Sequence, residues 1–187
     1  IVATIAMVAT ALTGKQAALM VPTEILAEQH MLTIEKLIQG TPLKAVLLTG
    51  SMNRSQKKRK ELLAQIESGE ANLIIGTHAL FQQDVTFKDL AFVVIDEQHR
   101  FGVQQRQALA GKGAGVNVLQ MTATPIPRTL AITAFGEMDT SILSEIPRGR
   151  QPIKTSWVRE QEMEQIFNFV ERQIQEGRQA YMISPLI

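Results

Sequence analysis

Two adjacent carboxylates close an apolar run in Val93-Val94-Ile95-Asp96-Glu97-Gln98-His99, and no other residues in the chain have so definite a chemical use. In an open α/β sheet, ligands sit beyond the carboxyl ends of the strands. Acidic side chains placed there suit phosphoryl transfer: Asp96 would hold Mg²⁺, directly or through water, and Glu97 would orient and activate the attacking water. His99, two residues on, could sense the terminal phosphate. The plainer alternative is a strand ending in a solvated acidic turn. Three further segments end in a similar way. Met121-Thr122-Ala123-Thr124-Pro125 closes an apolar run with two hydroxyls, which could bond to neighbouring carboxylates or simply form a turn before proline. Pro22-Thr23-Glu24 leads from a run into a helix start. Free backbone N–H groups there suit a phosphate, and Thr23 equally suits a helix cap. Gly76-Thr77-His78 follows another run, and its small and hydroxyl groups would let a nucleic-acid backbone approach, or make a tight loop. Four such endings in one chain are hard to attribute to chance.

These endings need a scaffold that brings them to one edge. Short apolar runs at 17–21, 45–48, 73–75, 92–95 and 116–121 are continuous rather than alternating, as buried parallel strands are. Between them lie helical patterns: residues 1–13, apolar nearly all round and so expected to be buried on both sides; residues from about 23 to a stop at Gly40; and residues 54–68, stopped by Gly69. The alternation predicts an α/β fold with a doubly wound parallel sheet. A Pro/Gly/Arg-rich segment at 147–152 reads as a linker between a domain at 1–146 and a second α/β domain opening at 153–187. In that second part, strands are expected at 153–158 and 180–183, around a helix at 160–176 closed by Gly177.

Composition sets limits. Of 187 residues, 45% are apolar and 20% charged, ordinary values for a globular chain able to bury a core. A net charge of +1 gives no polyelectrolyte tail and no membrane-surface preference. No cysteine is present, which excludes disulfides, thiol catalysis and thiolate metal sites. The apolar start is too short to span a bilayer and lacks the basic segment of a signal peptide, so no membrane partner and a cytoplasmic location are expected. His30 and His78 lack metal-ligand spacing and read as ordinary core or surface histidines. Arg54 and the run Lys57-Lys58-Arg59-Lys60 read as a solvated helix face paired with Glu61.

Taken in order, Pro22-Thr23-Glu24, Gly76-Thr77-His78, Asp96-Glu97-Gln98-His99 and Thr122-Ala123-Thr124 resemble motifs Ia, Ib, II and III of superfamily 2 helicases of the DEAH type. The longer forms Pro22-Thr23-Glu24-Ile25-Leu26-Ala27-Glu28-Gln29-His30, Gly76-Thr77-His78-Ala79-Leu80, Asp96-Glu97-Gln98-His99-Arg100-Phe101-Gly102-Val103 and Met121-Thr122-Ala123-Thr124-Pro125-Ile126-Pro127-Arg128-Thr129-Leu130 resemble the bacterial branched-DNA helicases of that superfamily, the first nine residues and Asp-Glu-Gln-His most distinctively, and the resemblance covers essentially the whole chain. The motor of transcription-repair coupling factors is the nearest alternative; a non-catalytic nucleic-acid-binding module of the same fold is another. The resemblance implies a RecA-like first motor domain, truncated at its N-terminus, followed by the start of a second. It implies ATP and Mg²⁺ as cofactors, branched double-stranded DNA as partner, a monomeric bacterial motor, and a role in recombination and repair. By resemblance, Asp96, Glu97, Gln98 and His99 are catalytic, with Asp96 at the metal through water. Thr122, Ala123 and Thr124 couple nucleotide state to motion. Pro22, Thr23, Gly76, Thr77 and His78 face the DNA backbone. The phosphate loop ending in Gly-Lys-Thr does not occur in the sequence; in the family it precedes a helix like residues 1–13, so it is expected upstream, and the chain by itself is expected to be inactive.

Overall fold

The computed structural model describes residues 1–50, 56–97, 111–113, 115–124, 139–145, 149, 151 and 153–184. The chain divides into two compact units, Ile1–Gly136 and Glu137–Ile187.

In the first unit the elements run α1 (Val2–Leu12), β1 (Gln16–Met20), α2 (Glu24–Leu37), β2 (Ala45–Leu48), α3 (Gln56–Ser68), β3 (Leu73–Gly76), a 3₁₀ turn (His78–Phe81), β4 (Leu90–Ile95) and β5 (Asn117–Gln120). The five strands are all parallel, in the order β2-β3-β1-β4-β5. β1 is buried along its whole length, because it has a strand on each side and helices on both faces. Alternate side chains go to opposite faces of a strand. Ala17 and Leu19 accordingly join a core with Met7 and Ala11 of α1 and Ala27 and Ile34 of α2. Ala18 and Met20 join the other, with Ile66 of α3, Leu80 and Phe87. The sheet is doubly wound, as its pattern of strands and helices predicts.

Helix boundaries follow local chemistry. Thr23 caps α2, its hydroxyl accepting the Leu26 N–H at 3.3 Å. Gly40 and Gly69 follow α2 and α3 in left-handed conformations, which glycine adopts without steric cost. Gln16 is the main buried polar side chain of the sheet. Its amide donates to the carbonyls of Ile66 and Ala71, both at 2.8 Å, and accepts the Asp89 N–H at 3.1 Å. One side chain thus ties the start of β1 to the end of α3 and the start of β4.

The first helix differs from expectation. Only Met7 and Ala11 of α1 are buried, whereas Val2, Ile5 and Leu12 are exposed. The helix lies on one face of the sheet, and composition alone does not say whether a second layer of the described residues covers its other side. The basic run on α3 also departs from the pairing expected. Arg59 turns inward: its guanidinium donates to Asp84 at 2.7 Å and to Gln82 at 2.8 Å, not to Glu61. Lys57, Lys58 and Lys60 remain exposed. The pairing depends on where the 82–84 loop lies, which helical spacing on α3 cannot give. Lys112 reaches the same loop and donates to the carbonyls of Gln82 at 2.8 Å and Val85 at 2.6 Å. Burial lowers its pKa, against the opposing pull of Asp84.

The second unit carries α4 (Met163–Gln175), preceded by a 3₁₀ turn at Glu160–Glu162 and closed by Gly177, whose N–H reaches the carbonyl of Ile174. The strands expected on either side do not form: residues 153–159 and 178–184 make no ladder, and Ile153, Tyr181 and Ile183 are exposed. A strand exists through its hydrogen-bonded neighbour, and neither run pairs with the other or with any described residue of the unit.

Candidate functional site

The carboxyl ends of all five strands lie along one edge of the sheet, because every strand is parallel to its neighbours. The residues singled out by their chemistry follow these ends: Pro22 and Thr23 after β1, Thr77 and His78 after β3, Asp96 and Glu97 after β4, and Thr122 and Thr124 after β5. A further pair, Thr49-Gly50, closes β2 in the same way and escaped the reading of the sequence. Its signal was present: a hydroxyl and a glycine directly after an apolar run, as at Gly76-Thr77.

Asp96 sits near the middle of this edge. Its N–H donates to the carbonyl of Met20 at 2.9 Å, carrying the β1–β4 ladder one residue past the strand. Its Oδ1 accepts the Glu97 N–H at 3.0 Å, and its side chain is about a quarter exposed. Glu97 has φ 51°, the one non-glycine residue among those described with positive φ. Such backbone costs on the order of 1 kcal/mol and persists where the surroundings over-determine it, often at active sites. Gln98 and His99 lie outside the described residues.

His30 contributes something its sequence context did not suggest. From α2 it brings Nε2 to 3.7 Å from Asp96 Oδ2, so the histidine set aside as ordinary core or surface faces the principal carboxylate. Ala27, His30 and Ile34 share one helix face by their spacing, and that periodicity was the available signal.

Thr122 and Thr124 do stand beside the carboxylates, since Gln120 pairs with Ile95 and the Met121 N–H reaches the Ile95 carbonyl at 2.8 Å. Their hydroxyls, however, engage each other at 2.9 Å, and Thr122 Oγ1 accepts the Thr124 N–H at 3.2 Å. The bond to Asp96 or Glu97 that strand adjacency suggested is not made, because the turn satisfies both hydroxyls locally. Ala123 is exposed between them.

On the β1 and β3 side, the Thr23 hydroxyl serves the cap of α2. Gly76 and Thr77 are buried, and His78 is exposed. A Cβ on Gly76 would lie 2.2 Å from the Leu48 carbonyl oxygen, so what glycine admits here is the neighbouring strand. The Thr77 N–H donates to that same carbonyl at 3.3 Å, and its buried hydroxyl has no partner among the described residues. Three strand ends converge at Gly50: a Cβ there would stand 3.5 Å from Glu24 Oε1 and 3.6 Å from His78 Nε2.

The described residues contain no group of three or more His, Asp or Glu side chains able to enclose a metal. The Asp96 side chain is about a quarter exposed, so its carboxylate is reachable by a cation that takes one or two carboxylates and keeps water, as Mg²⁺ does. No helix among the described residues is long and apolar enough to cross a membrane.

Over its full length the chain is 54% identical to the ATP-dependent DNA helicase RecG of Bacillus subtilis (strain 168) and, equally, to that of Streptococcus pneumoniae serotype 4. It spans 27% of the length of each. It also superposes over its whole length on 25% of a solved chain described as RecG bound to a three-way DNA junction, with 36% identity and a TM-score of 0.79. Residues 1–132, which hold every strand and every carboxyl-edge residue described above, match the model of the DEAD/DEAH box helicases, and the chain belongs to that family.

Proposed function

We propose that this chain is part of an ATP-dependent motor that remodels branched double-stranded DNA, acting in recombination and repair within a longer cytoplasmic bacterial protein. The observation that carries the reading is the Asp96-Glu97 pair at the carboxyl edge of the sheet, in a chain 54% identical to RecG helicases. The solved relative bound to a three-way DNA junction supports branched DNA as the partner. Residues 1–146 would form the first motor domain, 147–152 a linker, and 153–187 the start of the second.

In this reading Asp96 would hold, through water, the magnesium of a magnesium–ATP complex, which would supply charge neutralisation at the transferring phosphate. Glu97 accepts a proton from the water that attacks the γ-phosphate and keeps that water in line. Gln98 and His99 complete the nucleotide side. Thr122, Ala123 and Thr124 form a compact turn on the strand next to the carboxylates, able to pass a change there onward as a unit. Pro22, Thr23 and His78 offer exposed or half-buried surface to a DNA backbone, and buried Gly76 and Thr77 set the position of that surface. The motor acts as a monomer.

The test is Glu97→Gln in the full-length protein. The amide keeps the size and loses the charge, so DNA-stimulated ATP hydrolysis should fall by about a thousandfold, within the range for removing an essential catalytic group, while ATP still binds. Loss of ATP binding in proportion to the loss of rate would make Glu97 a structural residue and sink the assignment.

A further inference from the structure

We propose that His30 is a positioning residue that sets the carboxylate of Asp96, an inference that rests on the motor reading above. Asp96 has two oxygens and, among the described residues, one neighbour for each. Oδ1 is held by the Glu97 N–H at 3.0 Å, and Oδ2 faces His30 Nε2 at 3.7 Å. The backbone of Asp96 is already fixed to β1 through the Met20 carbonyl. What remains free is rotation of the carboxylate, and the imidazole stands against the oxygen that this rotation would move. A separation of 3.7 Å exceeds a direct hydrogen bond and leaves Nε2 and Oδ2 in polar contact.

His30 cannot easily drift from this place. It shares a helix face with Ala27 and Ile34, both buried in the core on that face of the sheet, so core packing sets its distance from the sheet. On an otherwise apolar stripe, the one polar ring stands opposite Asp96, its side chain about a third exposed. The same helix begins at Thr23 on the carboxyl edge, about two turns before His30. A load at that end of α2 therefore reaches Asp96 through one rigid element and one contact.

Side chains that orient a metal-binding carboxylate without touching the metal typically matter by about 10- to 100-fold in activity. The experiment compares His30→Ala and His30→Gln with the wild type in the full-length protein. It measures kcat and KM for magnesium–ATP at saturating forked DNA, with melting temperature alongside. The expected result for His30→Ala is a kcat lower by about tenfold or more, with KM changed by less than about twofold, as for a group that orients but does not bind substrate. His30→Gln, whose amide can still donate toward Oδ2, should recover most of the rate, and all three proteins should melt together. An unchanged kcat in His30→Ala overturns the proposal. So does equal loss in both variants, or a loss that follows a fall in melting temperature, since either marks a packing role. A wild type without DNA-stimulated hydrolysis, or Glu97→Gln with full activity, would instead remove the motor reading itself.

Discussion

Replacing Gly76 with alanine separates two meanings of a glycine at the end of a strand. If its role were to let a DNA backbone approach, the added methyl would weaken DNA binding and leave folding alone. The structure demands the reverse. The new Cβ would lie 2.2 Å from the Leu48 carbonyl oxygen and 3.0 Å from Leu80 Cγ. Carbon–oxygen contacts settle near 3.3 Å, so β2 and β3 must part locally by about 1 Å. That movement stretches the Thr77 N–H bond to Leu48, already 3.3 Å long, beyond any useful length, at a cost of about 1 kcal/mol. Overpacking around Leu80 adds about 1–3 kcal/mol. A total of about 2–4 kcal/mol is a large share of the 5–15 kcal/mol of a typical domain. In a domain of this size it should lower the melting temperature of the corresponding transition by roughly 5–15 °C. The assay is thermal unfolding of the full-length protein, with forked-DNA affinity measured well below the transition, where any loss should be small beside the loss of stability, because Gly76 is buried beneath the proposed DNA-facing surface and not part of it. A melting temperature within about 2 °C of the wild type, together with lost DNA affinity, would refute the reasoning.

Two other substitutions probe different parts of the scaffold. Gln16→Leu leaves the carbonyls of Ile66 and Ala71 and the N–H of Asp89 without their partner, and should destabilise by about 3 kcal/mol, read from urea unfolding as the midpoint shift multiplied by the slope; a change below about 1 kcal/mol would mean that water replaces the amide. Thr124→Ala removes the hydroxyl pairing with Thr122 at an exposed turn, worth on the order of 1 kcal/mol or less, so folding should survive and ATP hydrolysis fall only modestly. Fork unwinding should fall further than hydrolysis, and equal loss of both would reduce the segment to an ordinary turn.

What could be read in the sequence was local. Continuous apolar runs marked all five strands because a parallel sheet covered on both faces leaves no polar side to its strands. Thr23, Gly40 and Gly69 marked helix ends because capping and left-handed glycine are properties of a few neighbouring residues. The features that escaped depend on what lies across the fold. Arg59 looked like part of a solvated run, since nothing on α3 announces Asp84. Gly76 looked like a ligand contact because the Leu48 carbonyl is distant in sequence. His30 looked ordinary without Asp96 opposite. The runs at 153–158 and 180–183 had the composition of strands but found no ladder, and composition cannot supply a neighbour.

The placement of β1 also constrains how the chain can fold. Its partners are β3, more than fifty residues later, and β4, more than seventy residues later, with no early neighbour on either side. An apolar strand emerging during synthesis must therefore wait for both, while α1 and α2 can form at once but have no sheet to cover. Long-range pairing of this kind is slow and leaves unpaired edges open to association. A strand buried along its whole length in the finished protein thus waits longest for its neighbours while the sheet is being made. Gln16, whose amide joins residues 66, 71 and 89 to the start of β1, is placed to lock that strand's register only when the last of those partners arrives.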